Sequence, residues 1–117
     1  AHGSFNGYVE VIRRNDAAIG ELMEAIREDD ELRESTAVFV LPEFGRDQDL
    51  NARRGLDHGD GSDDLRYVTG VAWGPDFRKG KVVKEDQRVS DITTTVCDLF
   101  GAEAKFARGR SLRGLYS

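Results

Sequence analysis

Thr36-Ala37-Val38-Phe39-Val40-Leu41-Pro42-Glu43-Phe44-Gly45-Arg46-Asp47 is where an apolar run gives way to an ionisable one. Residues 36–41 are β-branched, aromatic or aliphatic without polar alternation after the opening threonine, a pattern expected of a strand covered on both faces, as in a parallel sheet. Past Pro42 the chain turns at Gly45 and carries charged side chains into a long polar loop ending Leu56-Asp57-His58-Gly59. Enzymes of the α/β class place chemistry there, because a rigid strand aims side chains into the space beyond its carboxyl end. Glu43 and His58 are accordingly the expected centre of an acidic, metal-binding site.

Upstream of the strand, Tyr8, Ile12, Ile19, Leu22, Met23 and Ile26 recur at helical spacing and predict one buried stripe. Glu10, Arg13, Arg14, Glu21, Glu24, Arg27 and Glu28 take the opposite face, and Ser4 or Asn6 is the expected cap. Asn15 and Asp16, at the centre and edge of the stripe, are most simply hydrogen-bonding residues. Residues 28–34 read as a solvated acidic turn. A helix leading into a buried strand is the second half of a βαβ unit, whose first strand would lie before Ala1. An opening of Ala1-His2-Gly3-Ser4, with no initiator methionine, agrees with a fold that begins upstream.

Downstream, residues 43–66 hold few apolar side chains but many glycines and acids, and a loop of that length in a compact domain points to function or disorder. Function is the better reading, since one of the chain's two histidines lies there. Tyr67-Val68-Thr69-Gly70-Val71-Ala72-Trp73 predicts a second strand, closed by Gly74-Pro75. Arg78-Lys79-Gly80-Lys81-Val82-Val83 predicts a basic hairpin. Ser90 then caps a helix with Ile92, Val96, Leu99 and Phe100 on one face and Gly101 as its stop. Gly109-Arg110-Ser111-Leu112 reads as an irregular tail.

The chain's 117 residues suit a single domain or part of one, and its net charge of -5 gives an acidic surface. Nucleic acid is excluded as a partner because no basic stripe is present to meet phosphates. No run is apolar and long enough to span a bilayer. Cys97 cannot form an intramolecular disulfide, so thiols do not report the compartment, and its place in an amphipathic helix makes it a packing residue.

The order of motifs resembles the C-terminal half of the alkaline phosphatase and sulfatase superfamily: Asn15-Asp16 in a helix, the apolar strand, Asp57-His58-Gly59, Val71-Ala72-Trp73-Gly74-Pro75, Ser90-Asp91-Ile92-Thr93-Thr94-Thr95-Val96 and Gly109-Arg110-Ser111-Leu112. Glu43-Phe44-Gly45-Arg46, Asn51 and Asp57-His58 resemble its sulfatase-like branch, which carries Glu-Phe-Gly-Arg where the phosphatases carry Asp-His-Gly. The match spans nearly the whole chain; its motifs are moderately specific together and weak singly. It implies an α/β fold, a short, mostly parallel sheet segment flanked by helices, as the C-terminal part of an alkaline-phosphatase-like domain. It further implies metal ligands at His2, Glu43 and His58, with Arg46 and Asp57 orienting ligand or metal. Phe44 departs from the pattern, since a phenyl ring cannot coordinate a cation, which puts one of the family's two metal sites in doubt. The family's nucleophile region has no counterpart in residues 1–117. The isolated chain is therefore expected to be inactive without the remainder of the domain upstream of Ala1, in the same or a separate chain.

Residue chemistry points the same way on its own. A carboxylate with imidazoles suits zinc, manganese or iron, whereas calcium and magnesium favour all-oxygen shells. Such an ion acts as a Lewis acid toward a small phosphate or sulfate ester, and Arg46 offers a fork for a tetrahedral oxyanion. Each residue also has a plainer reading: His58 as a surface partner of an aspartate, His2 as a frayed terminus, Arg46 as the counter-charge to Asp47 and Asp49. Residues 57–68 fail the EF-hand pattern, with Ser62 and Val68 at the places of its glycine and glutamate; Asp60, Asp63 and Asp64 leave a looser calcium site or a solvated loop. The rival function is a non-catalytic binding or assembly subunit that keeps the scaffold with a degraded metal site.

Overall fold

The computed structural model describes residues 1–59 and 61–116. They fall into two compact units, Ala1–Gly74 and Pro75–Ser117. The first contains α1 (Phe5–Glu28), α2 (Asp30–Ser35), β1 (Val38–Val40), α3 (Asp63–Arg66) and β2 (Val71–Trp73). The second contains α4 (Val89–Leu99) and a 3-10 turn at Arg113–Leu115. Among the described residues no helix is long and apolar enough to cross a membrane.

Ser4 starts α1: its backbone is extended and its hydroxyl accepts from the Gly7 N–H at 3.1 Å, satisfying one free donor of the first turn. Asp29 ends it and begins α2, because its carboxylate accepts from the N–H groups of Glu31 and Leu32, each at 2.9 Å. The expected acidic turn is therefore a second helix, with Asp30 and Glu31 placed favourably at the positive end of its dipole. The predicted buried stripe of α1 is unevenly covered, with Tyr8, Ile19 and Met23 half-buried. Ile26 is buried, whereas Ile12 and Leu22 are about half exposed, along with Phe5, Val9 and Val11. Next to Ile26 in sequence, the Arg27 guanidinium lies 5.6 Å from the centre of the Trp73 ring, a cation–π contact from α1 to β2.

The expectation of a mostly parallel sheet flanked by helices is overturned by the strand pairing. β1 and β2 form a two-stranded antiparallel sheet, with Val38 opposite Trp73, Phe39 opposite Ala72 and Val40 opposite Val71. A parallel pair needs a crossover that returns the chain to the starting end, usually a helix packed across the sheet. Between these strands the chain forms a loop and the four-residue α3 instead, so it re-enters from the end it left. Both strands are only three residues long and none of their residues is fully buried. The apolar run at 36–41 thus reflects partial cover in a small sheet, not burial on both faces.

In the second unit the predicted cap and hairpin also change. Helix α4 begins after Arg88, whose N–H donates to the Asp91 carboxylate at 2.8 Å, so the first turn is closed by Asp91 and not by Ser90. Residues 78–83 form no strand; Lys81 N–H returns to the Arg78 carbonyl at 3.3 Å in a turn through Gly80. The helix does stop where expected, with the N–H of Gly101 on the Asp98 carbonyl and that of Ala102 on the Cys97 carbonyl.

The tail is not irregular. Asp91, Thr95 and Asp98 lie at i, i+4 and i+7, one stripe of α4, and all three bind it. The other Asp91 oxygen accepts from Arg110 N–H at 2.8 Å, and the fully buried Thr95 hydroxyl accepts from Leu112 N–H at 2.9 Å. Asp98 accepts from Ser111 at 2.7 Å and from the Tyr116 hydroxyl at 2.5 Å. Gly109 is needed for this approach, because a Cβ there would lie 2.2 Å from the Ser90 carbonyl oxygen. Phe77 is the buried apolar side chain of this unit among the described residues, edge-on to Tyr116 at 6.4 Å. Polar ties carry the stripe, whereas Val96 and Phe100 of the predicted apolar face are exposed.

Candidate functional site

The site lies in the first unit, where residues 1–4 run against the loop after β1. Leu56 N–H donates to the Ala1 carbonyl at 3.1 Å, and Phe5 N–H to the Arg54 carbonyl at 2.8 Å. Asn51 makes the stitch: its amide nitrogen donates to the His2 carbonyl at 2.9 Å, while its oxygen accepts from Arg53 and Gly55 N–H at 2.9 and 3.0 Å. Gly55 is buried beneath the N-terminal segment, and a Cβ there would sit 2.1 Å from the Ala1 oxygen. The short bridge Leu50–Leu56 closes the turn, with Leu56 buried.

This backbone arrangement brings residues far apart in sequence together. His2 Nδ1 lies 2.6 Å from Asp57 Oδ1, with both side chains nearly half exposed. The His2 imidazole beside Asp57, together with the Asn51 amide, holds the Asp57 carboxyl below its ordinary range. An ionised carboxylate only accepts, so Nδ1 carries the shared proton, and in the neutral form of such an imidazole Nε2 is the nitrogen left with a lone pair. The loop is further tied by Asp47, whose N–H donates to the Asp57 carbonyl at 3.0 Å and whose carboxylate accepts from Gly59 N–H at 3.0 Å.

His58, between these ties, has its ring centre 5.1 Å from that of His2 and 4.6 Å from that of Phe44. The Arg46 guanidinium stands 5.5 Å from the Phe44 ring centre and 5.9 Å from that of Tyr8. Its Nη1 is 3.5 Å from His2 Nε2, a long contact at the edge of hydrogen bonding. Among the described residues Arg46 makes no ion pair, so the expected neutralisation of Asp47 and Asp49 is not its arrangement.

Four of the five expected site residues, His2, Arg46, Asp57 and His58, therefore form one cluster. Glu43 is exposed, and no hydrogen bond or ion pair links it to another described residue. Two imidazoles on one tetrahedral cation, each nitrogen about 2 Å from the ion, have ring centres roughly 5 Å apart, which matches the His2–His58 separation. The two rings meet edge to face, at 63° between their planes, and Asp57 is the carboxylate that would orient His2 if it held a cation. No group of three His, Cys, Asp or Glu side chains suited to a metal is present among the described residues. Asp60, of the looser calcium reading, lies outside the described residues; Asp64 accepts from the Gln48 amide and Asp63 begins α3.

Sequence reasoning missed Tyr8, assigned to the helix stripe, and the structural role of Asp47. Tyr8 had one usable signal: with Ser4 as cap, it lies in the first turn, at the helix end where His2 enters. The cluster is open to solvent; a cavity of about 300 Å³ at the start of α1, lined by Ser4, Phe5, Asn6, Arg53 and Arg54 among others, includes none of the five expected residues. No protein-family model matches the chain, and no solved structure matches it.

Proposed function

We propose that this chain carries part of the cation-binding site of a metal-dependent phosphate- or sulfate-ester hydrolase of the sulfatase-like kind, with His2 and His58 as ligands. The observation that carries this reading is the 2.6 Å contact of Asp57 with His2 Nδ1. It leaves Nε2 as the coordinating nitrogen, in the manner of carboxylate–histidine–metal triads. Glu43 belongs to the proposal through the resemblance of Glu43-Phe44-Gly45-Arg46 and Asp57-His58 alone. Bound zinc, manganese or iron would supply Lewis acidity toward an ester oxygen. The chain's own residues orient the ligands through Asp57 and hold the loop through Asn51 and Asp47.

The test is titration of the metal-stripped full chain with zinc and manganese, beside His2→Ala, His58→Ala and Glu43→Ala. Stoichiometric binding lost in both histidine variants is expected; binding no tighter than that of the double histidine variant refutes the reading. The second reading, a binding or assembly subunit with a degraded site, is favoured by Phe44 lying against His58 where a further ligand is expected. It predicts no stoichiometric metal in the same titration.

A further inference from the structure

We propose that Arg46, held between Phe44 and Tyr8, supplies the fixed positive charge of this site and binds a tetrahedral oxyanion without a metal ion. The proposal rests on the phosphate- or sulfate-ester reading for the class of ligand, but not on a cation being present. Phe44 removes a metal ligand from the expected pattern, and the structure shows what the phenyl ring does instead. With Tyr8 it forms an aromatic cradle around the guanidinium, at 5.5 and 5.9 Å between the guanidinium carbon and the ring centres. Cation–π contacts of this kind fix a guanidinium's position while leaving N–H groups at its edge to donate.

Arg46 is half-buried and makes no ion pair among the described residues, although the chain carries more acids than bases. Its hydrogen-bond partner there is His2 Nε2 at 3.5 Å, which leaves most of its five donors for a ligand. A planar fork of donors matches two oxygens of a phosphate or sulfate, and partial removal from water strengthens each bond. The same geometry sets an exclusion: Nε2 cannot accept from Arg46 and coordinate a cation with one lone pair. Metal entry therefore requires the guanidinium to turn away from His2, toward the ligand.

The test uses the full chain in excess chelator, titrated with inorganic phosphate and with sulfate while nitrogen-proton resonances of residues 44–47 and of the Arg46 side chain are followed. Saturable shifts are expected. They should weaken at least about tenfold in Arg46→Ala and not recover in Arg46→Lys, because an ammonium lacks the fork. Arg13→Ala, on the exposed face of α1, should bind as the parent does. Phe44→Leu keeps the charge but removes one wall of the cradle, and should weaken binding about threefold; circular dichroism checks that each variant is folded. Shifts that persist in Arg46→Ala, or that appear only after zinc is added, overturn the proposal. The second result would leave the metal-dependent reading standing, whereas anion binding in chelator with no zinc binding would sink that reading and keep this one.

Discussion

Replacing Asp57 with asparagine tests the orientation of His2 with almost no change of shape. The carboxylate accepts from Nδ1–H at 2.6 Å, and its pKa is held below the ordinary carboxylate range, so it fixes which imidazole nitrogen is free. An amide of the same size is neutral, and it can turn its NH₂ toward Nδ1, which moves the ring proton to Nε2 and blocks coordination. Loss of such an orienting carboxylate typically weakens metal binding about 10- to 100-fold. His2 and Asp57 are nearly half exposed, where water screens the pair, so the expected loss lies at the lower end, about tenfold. The backbone bond from Asp47 N–H to the Asp57 carbonyl is unaffected, and the fold should persist. Zinc affinity by competition with a chromophoric chelator, with imidazole nitrogen shifts reporting the tautomer, gives both halves of the result. Unchanged affinity together with an unchanged tautomer would refute the reasoning.

Thr95→Val keeps the shape of a fully buried side chain but orphans the Leu112 N–H, and should cost about 1–3 kcal/mol of stability in urea unfolding. Thr95→Ser keeps the hydroxyl and should cost about 1 kcal/mol, the loss of one buried methyl; a reversed order would contradict the polar tie of α4 to the tail. Stability of this unit should also fall on acidification. Burial raises the Asp91 carboxyl, but the N–H groups of Arg88 and Arg110 outweigh it and leave it lowered; Asp98 is lowered by the Tyr116 and Ser111 hydroxyls. Folded values below the ordinary 3.8 mean that this stabilisation is complete above pH 3.8 and is lost as the pH falls through the lower folded values. Tyr116 has the opposite sign: burial and then Asp98 raise it above 10.0, so its contribution is complete below pH 10.0 and is lost as the pH rises through the higher folded value. Hydrogen exchange at the Leu112 amide reads both limbs, and protection that is flat below pH 3.8 would contradict the assignment.

How far the sequence could be read follows from the range of each interaction. Ser4 and Gly101 were legible because a cap or a stop depends on groups within four residues. The exposed residues of α1 were not, because periodicity shows which residues share a face but not whether anything covers it. Asp29 gave a signal that was available and misassigned: an aspartate before Asp30-Glu31-Leu32 caps a helix as readily as it forms a turn. At the site, the residue types at 46, 57 and 58 suggested binding chemistry, but Tyr8 looked like packing and Asp47 like a charge for Arg46 to neutralise.

The sequence by itself determined the helices α1 and α4, the places of both strands and the polar loop that carries Arg46, Asp57 and His58, since side-chain periodicity and local backbone preferences are properties of neighbouring residues. Tertiary structure alone decided that β1 and β2 run antiparallel, that Asp91, Thr95 and Asp98 bind the tail, and that His2 meets Asp57 across 55 positions of chain. Those pairings depend on the path of the intervening backbone, and no local preference specifies which distant partner satisfies a given donor or acceptor.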